Sequence, residues 1–265
     1  MPLIERPHAA IHYESYGDGP PLVLAHGAGG NTLVWWQQVP VFAARYRVVT
    51  LDHRGFGRSP CEPGHEQARH FADDLAAVLD HAEIGRCALV CQSMGGWTGL
   101  HFTLAQPERV AALVLSGTPA GIVTPGVMAA LLAIGSAAAA AGALSAPAWN
   151  QPHPALAADI FTRDAARGFL YAQLAGLNPP GGLARLALQE LSIDPARLAR
   201  YAVPTLLIGG SGDLLFAPAV LREVAATLPG AHFREIAGVG HSPYFEAPQA
   251  FNTIVAEFLA DHWPA

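Results

Sequence analysis

A serine between a strand-like run and a helix-like run is the clearest sign of chemistry in the sequence. Ser93 lies in the segment Cys91-Gln92-Ser93-Met94-Gly95-Gly96, directly after the apolar residues 88–91. Gly95 and Gly96 leave room for a strand and a helix to pass closely at this point. A serine on such a sharp turn has an exposed hydroxyl, which becomes a nucleophile when a base lies beside it. The segment therefore predicts nucleophilic catalysis by Ser93.

The elements around this serine alternate between strand-like and helix-like patterns. Apolar residues recur at helical spacing in three segments, at residues 71–82, 97–104 and 251–259. Short apolar runs bounded by turns, which are typical of buried parallel strands, occupy residues 21–25, 47–51, 87–91, 112–115 and 205–208. This alternation predicts an α/β fold with a mostly parallel, doubly wound sheet.

Two further motifs follow predicted strands. His26-Gly27-Ala28-Gly29-Gly30 comes after residues 21–25, and a segment from Asp52 to Ser59 reads D-x-R-G-x-G-x-S after residues 47–51. Together with the Ser93 segment they resemble the α/β-hydrolase family, whose G-x-S-x-G motif departs here only in having Cys91 as its first residue. The resemblance implies a sheet of the eight-stranded type found in this family. It also implies an oxyanion hole made by the N–H groups of Ala28 and Met94, and structural roles for Asp52 and Arg54.

The family's order of functional residues is serine, acid, histidine. Asp213 ends the segment Gly209-Gly210-Ser211-Gly212-Asp213 after a predicted strand, and His241 lies in Gly238-Val239-Gly240-His241-Ser242-Pro243 after the next one. The other loop where an acid could lie reads Ser116-Gly117-Thr118 and has no carboxylate. The resemblance thus implies that His241 is the base for Ser93 and that Asp213 orients His241.

The regular alternation stops between residues 119 and 202, which have helical composition and no clear strand. We expect residues 1–118 and 203–265 to form the α/β-hydrolase core and residues 119–202 to form a helical cap over the carboxyl ends of the strands. Residues 110–158 lack charge, so an apolar binding pocket is expected there. Three tryptophans could line this pocket, although large aromatic residues more often pack in the core: Trp35, Trp36 and Trp149.

Composition restricts the classes of partner. The 265 residues are 51% hydrophobic and 14% charged with a net charge of −6, and all 15 basic residues are Arg. Disorder and nucleic-acid binding are therefore not expected, and a small hydrophobic substrate is the expected partner. Residues 127–144 approach the length of a membrane span but are mostly Ala and Gly, which predicts a buried helix pair instead.

Other patterns predict neither special chemistry nor export. Three cysteines form no disulfide framework, and the N-terminus has acidic residues and prolines where a signal peptide needs an apolar stretch, so a cytoplasmic location is expected. No histidine pair has a recognisable zinc-ligand pattern, no cofactor motif is present, and we expect neither metal nor cofactor. The sequence does not decide whether the protein forms a homo-oligomer.

The leading hypothesis is a serine hydrolase that cleaves a small to medium hydrophobic carboxylic ester, lactone or thioester through an acyl-enzyme. Ser93 stands where related dehalogenases and epoxide hydrolases have Asp, which argues against both of those activities. A C–C bond hydrolase of the meta-cleavage type and a cofactor-free perhydrolase (haloperoxidase-like) share the same serine chemistry and stay open. A non-catalytic ligand receptor built on the same fold is the alternative from another class.

Overall fold

The computed structural model describes residues 2–141, 153–178 and 186–265, with side chains described as far as residue 136 in the first of these ranges. Eight strands form one sheet. Their bounds are β1 Leu3–Arg6, β2 Ala9–Tyr16, β3 Pro21–Ala25, β4 Arg47–Leu51, β5 Cys87–Gln92, β6 Val110–Ser116, β7 Thr205–Gly210 and β8 His232–Ile236.

The strands are arranged in the order β1-β2-β4-β3-β5-β6-β7-β8. From β4 to β8 all neighbours are parallel, whereas β1 and β2 form antiparallel pairs at one side of the sheet. The order in which strands are added changes side at β3: β4 pairs with one edge of β3, and β5 to β8 follow in turn from its other edge. This confirms the predicted α/β class with its mostly parallel, doubly wound, eight-stranded sheet.

Burial explains why the central strands were readable. Every residue of β5, β6 and β7 is buried, as expected for parallel strands covered by helices on both faces. The predicted strands at residues 21–25 and 47–51 coincide with β3 and β4. Strands β1 and β2 were not predicted, because they pair antiparallel near the sheet edge and carry polar residues among the apolar ones.

Helices pack on both faces of the sheet and follow the strands that they connect. The predicted helices at residues 71–82, 97–104 and 251–259 correspond to three of them. The helices described are α1 Val39–Phe42, α2 Phe71–His81, α3 Met94–Ala105, α4 Pro125–Ala141, α5 Ile160–Arg163, α6 Ala165–Ala175, α7 Pro218–Thr227, α8 Pro243–Glu246 and α9 Pro248–His262.

Along the chain, residues 119–202 connect β6 to β7, which are neighbours in the sheet. The described part of this segment contains α4, α5, α6 and two short 3₁₀ helices, and an isolated bridge joins Ile122 to Ile193. The boundaries of the cap at 119 and 202 stay a prediction. Residues 127–141 belong to one continuous helix, and residues 142–144 of the expected helix pair lie outside the described residues. The expectation that the segment is buried is wrong at Leu132, which is 69% exposed.

Among the residues that the structure describes, we find no helix with the length and apolar character that a membrane crossing needs.

Candidate active site

Ser93 occupies a strained turn between β5 and α3. Its φ of 48° and ψ of −116° are unusual for a residue with a side chain, and such conformations cost about 1–3 kcal/mol. The turn is held because the Ser93 N–H donates to Ser116 O at 2.9 Å. Gly95 is required next to it, since a Cβ there would collide with the carbonyl oxygen of Ala25. Helix α3 therefore begins close to the end of β3, and Ser93 lies in the turn directly after β5.

The structure brings Ser93, His241 and Asp213 into one hydrogen-bonded chain. His241 Nε2 lies 2.9 Å from Ser93 Oγ, and His241 Nδ1 lies 2.9 Å from Asp213 Oδ2. The side chains of His241 and Asp213 are almost completely buried, at 2% and 0% exposure. With Nδ1 protonated and facing the carboxylate, Nε2 is free to accept the serine proton. This arrangement is chemically able to generate a serine nucleophile.

The Asp213 carboxylate is fixed by the loop that follows β7. Its Oδ1 atom accepts hydrogen bonds from the backbone N–H groups of Leu215 at 2.8 Å and Phe216 at 3.0 Å. One oxygen is thereby committed to the loop, and the other is directed at His241. This division fixes the orientation of the imidazole, because Asp213 cannot rotate without losing two hydrogen bonds.

The loop that carries His241 is fixed by a buried carboxylate. Glu246 accepts hydrogen bonds from the N–H of Gly240 at 2.9 Å and the N–H of Ala157 at 3.1 Å. Arg163 forms an ion pair with the same carboxylate at 3.0 Å. Burial raises the pKa of Glu246, although these backbone and arginine contacts act against the rise. Glu246 was not identified in the sequence, because the segment around it gives no local sign of a buried carboxylate.

The loop after β3 passes directly beside Ser93. A Cβ on Gly27 would lie 2.9 Å from the Cβ of Ser93, so the backbone of this loop contacts the serine. Ala28 follows Gly27, and Met94 is the first residue of α3, where N–H groups have no acceptor within the helix. Backbone donors close to the serine are suited to stabilising a negative oxygen.

His26 and His53 support this loop from inside the protein. The backbone N–H of His53 donates to His26 Nε2 at 3.0 Å, so His26 Nδ1 carries the proton and donates to Gly27 O at 2.7 Å. His53 Nε2 lies 2.8 Å from the hydroxyl of Thr98. Burial lowers the pKa of both histidines, which keeps them neutral. His26 therefore shapes the loop and does not face Ser93.

Asp52 and Arg54 also make structural contacts. Asp52 accepts from the N–H of Thr32 at 2.6 Å and that of Arg58 at 2.9 Å. Arg54 forms a buried ion pair with Asp74 at 2.6 Å. The contact with Thr32 joins the loops after β3 and β4, and the ion pair joins the loop after β4 to α2. Both agree with the structural roles that the resemblance implies.

A cavity of about 490 Å³ adjoins Ser93. Helix α4 provides one wall through Val127, Met128, Leu131 and Ile134, and most of the other lining side chains are also apolar. The remaining lining residues include Met94, Trp97, Ile122, Leu188, Leu215 and Phe216. The volume lies in the range of small-molecule sites, and the lining favours an apolar group.

Comparison with known proteins assigns the chain to a family. Residues 20–248 match the sequence profile of the family described as the alpha/beta hydrolase fold. This chain belongs to that family. The match covers both the Ser93 turn and the loop that carries His241, so the hydrolase shares the parts of the family sequence that surround its candidate site.

Relatives of the hydrolase have different named activities. It is 31% identical over 264 residues to "Putative carbamate hydrolase RutD" of Caulobacter vibrioides, covering 94% of this chain and 95% of that one. It is 30% identical over 266 residues to "Putative non-heme bromoperoxidase BpoC" of Mycobacterium tuberculosis, covering 94% and 97%. A solved structure described as "Est816 as an N-Acyl homoserine lactone degrading enzyme" gives a TM-score of 0.77 at 28% identity, covering 97% and 100%.

Two of the three predicted tryptophans do not line the cavity that the structure describes in the hydrolase. Trp35 is fully buried in the core and packs against Tyr244 with ring centroids 4.6 Å apart. Trp36 is 49% exposed and does not line the described cavity. Trp149 lies outside the described residues. A different tryptophan, Trp97, lines the cavity from α3; its position four residues after the serine was the available signal.

One group of side chains in the described part of the hydrolase could approach a metal ion. Potential ligand atoms of His8, Glu62 and His65 lie within 4.8 Å of one another on the surface. The two imidazole rings are stacked, however, with centroids 3.8 Å apart and planes 15° from parallel. An ion bound in the plane of both rings would require at least one ring to turn. The group is also separate from the Ser93 site.

Proposed function

We propose that this hydrolase cleaves small to medium hydrophobic carboxylic esters through an acyl-enzyme on Ser93. The observation that carries the proposal is the continuous hydrogen-bonded chain from Ser93 through His241 to Asp213, beside an apolar cavity. Hydrolysis in general is supported by the relative named a carbamate hydrolase and by the solved structure of a lactone-degrading enzyme, whereas a third relative is named a bromoperoxidase. Lactones and thioesters are close chemical variants, because each offers the same acyl carbon to the serine.

In the proposed first step, His241 Nε2 removes the Ser93 hydroxyl proton while Ser93 Oγ attacks the ester carbonyl. The carbonyl oxygen becomes negative, and the N–H groups of Ala28 and Met94 stabilise it. Asp213 stabilises the charged imidazole without taking the proton. His241 then donates that proton to the departing alkoxide, which leaves as an alcohol and gives acyl-Ser93.

The second step reverses these roles with water. His241 removes a proton from a water molecule, and the resulting hydroxide attacks the acyl carbon. When the ester bond to Ser93 breaks, the carboxylic acid leaves and the Ser93 hydroxyl regains a proton from His241. In this scheme residues 119–202 act as a cap, and α4 selects the group that enters the apolar cavity.

A series of p-nitrophenyl esters with acyl chains from acetyl to dodecanoyl tests this function. We expect turnover that peaks at short to medium chains and falls by at least about 10³-fold in Ser93→Ala. A carbamate and a lactone added to the series show whether the protein prefers one of these substrates to a simple carboxylic ester. Normal ester turnover by Ser93→Ala, or cleavage of a vinylogous 1,5-diketone with no ester cleaved, would overturn the proposal.

A further inference from the structure

His153, in the segment 119–202, lies over the loop beside Ser93. His153 packs edge-on against the ring of Tyr171 with centroids 5.1 Å apart. A Cβ on Gly29 would lie 3.9 Å from His153 Cε1 and 3.4 Å from the Tyr171 hydroxyl oxygen. Since Gly29 follows Ala28, the imidazole is close to the loop to which we assign an oxyanion donor.

The hydrogen bonding of His153 makes it a donor. The N–H of Ala155 donates to His153 Nδ1 at 3.1 Å, so the neutral ring carries its proton on Nε2. Burial, and then the nearby His241, lower the pKa of His153 to about 4. The ring is therefore neutral at pH 7, with an acceptor used by the backbone and an N–H available to a ligand.

The segment that carries His153 is attached to the loop that carries His241. The N–H of Leu156 donates to His153 O at 2.9 Å, which closes a turn. The N–H of Ala157 donates to Glu246, which also binds Gly240. A Cβ on Gly240 would overlap the backbone of Ala157, so the two segments are in direct contact. The position of His153 is thus set relative to His241.

His153 is also separate from the apolar cavity. The walls of that cavity come from α3, α4 and the segments around Ile122, Leu188 and Phe216, and His153 is absent from the described lining. The apolar cavity and the loop around Gly29 therefore differ in character. A group in the cavity is surrounded by apolar side chains, whereas a group directed toward Gly29 and Tyr171 meets polar ones.

We propose that His153 Nε2–H binds a hydrogen-bond acceptor on the part of the substrate that stays outside the apolar cavity. The preferred substrate is then an ester or lactone with one apolar arm and an ether, carbonyl or amide oxygen a few bonds from the scissile carbonyl on the other arm. This inference rests on the proposed ester hydrolysis and makes its substrate class narrower. His153 acts here as a specificity-determining residue and takes no part in proton transfer.

Two pairs of esters of matched shape test this subsite. Butyl hexanoate is compared with 2-methoxyethyl hexanoate, and hexyl pentanoate with hexyl 3-methoxypropanoate, so that one CH₂ becomes an ether oxygen on either side of the scissile bond. We expect the wild type to favour the ether in at least one pair by roughly 3- to 10-fold in kcat/KM, as one hydrogen bond allows.

Two substitutions of His153 distinguish the loss of the Nε2–H hydrogen-bond donor from the loss of the structural hydrogen bond to Ala155 N–H. In His153→Asn the side-chain oxygen can still accept from Ala155 N–H but the Nε2 donor is lost, so the preference should fall to about one. His153→Gln places an amide donor near the Nε2 position and should restore part of the preference. Exposed His232→Asn is the matched control and should keep the wild-type ratio.

The outcomes are distinct. No preference for the ether in the wild type, an unchanged preference in His153→Asn, or an equal loss on both members of each pair would overturn the subsite. Those results leave the proposed function intact as long as the all-carbon esters are cleaved in a Ser93-dependent manner. If the wild type cleaves no ester at all, the proposed function itself fails.

Discussion

The carboxylate of Glu246 accepts a hydrogen bond from the backbone N–H of Gly240 at 2.9 Å, and Gly240 directly precedes His241. The same carboxylate accepts from the N–H of Ala157 and pairs with Arg163. One buried side chain thereby joins the loop that presents the proposed base to the segment that carries His153. The geometry around Ser93 depends on this junction as well as on the hydrogen-bonded chain itself.

Replacing Glu246 with Gln should weaken both segments. Every hydrogen-bonding partner of this carboxylate is a donor, so an amide NH₂ would meet an N–H or the Arg163 guanidinium. We expect Glu246→Gln to lower the free energy of unfolding by about 1–3 kcal/mol and to reduce kcat. Urea denaturation and ester kinetics measure these effects. Exposed Glu257→Gln on α9 is the control, and an equal response of the two variants would contradict the role of Glu246.

Replacing Asp213 with Asn tests how His241 is oriented. Asn can still accept from the N–H groups of Leu215 and Phe216, so the loop should be retained. Its NH₂ group would face His241 and favour the imidazole tautomer that cannot take the Ser93 proton. We expect kcat to fall by about 10⁴-fold with little change in Tm. Asp261→Asn, at an exposed site on α9, should behave as the wild type, and kcat within tenfold of wild type in Asp213→Asn would refute the assignment.

The two sides of α4 predict opposite results for a bulky substitution. Ile134 lines the cavity, whereas Leu132 on the same helix is 69% exposed. Ile134→Trp should fill part of the cavity and shift the preferred p-nitrophenyl ester to a shorter acyl chain. Leu132→Trp should leave the chain-length profile unchanged. The assignment of α4 to substrate selection is wrong if the two profiles match.

The buried His26 and His53 predict a loss of stability in mild acid. Burial lowers the pKa of each below the 6.5 of a free histidine, so the folded protein binds fewer protons than the unfolded chain once the pH falls below about 6.5. Stability is therefore retained above this pH and decreases below it, by up to about 1.4 kcal/mol per pH unit for each histidine. Urea denaturation at pH 7 and pH 5 measures the loss.

A substitution identifies the source of this dependence. His53→Gln keeps an amide near Thr98 but removes one titrating group, so the decrease between pH 7 and pH 5 should be smaller than in the wild type. His232→Gln, at an exposed site on β8, should show the wild-type decrease. An identical pH dependence in the His53 variant would show that other groups cause it.

Local patterns were sufficient for the features that depend on neighbouring residues. The strands β3 and β4 follow from short apolar runs bounded by turns, and the Ser93 turn follows from its glycines. The resemblance to a family then placed Asp213 and His241 at the ends of later strands, and the structure has both within hydrogen-bonding reach.

Features that depend on distant contacts were not readable in the same way. Trp35 and Trp36 are adjacent in the sequence, at the end of the short helix at residues 32–35, yet Trp35 packs in the core and Trp36 is 49% exposed. Glu246 and His153 owe their roles to backbone groups and rings brought together by folding. Their side chains have no spacing motif that would distinguish them from surface residues.

The central claim is that Ser93 is the nucleophile. Labelling the protein with a fluorophosphonate, followed by peptide mapping by mass spectrometry, tests it most directly, because this reagent reacts with a serine that an adjacent histidine activates. We predict one adduct, on Ser93, that is absent in Ser93→Ala and strongly reduced in Asp213→Asn. An adduct on another serine in the active wild type, or labelling that is unchanged in Ser93→Ala, would contradict the account.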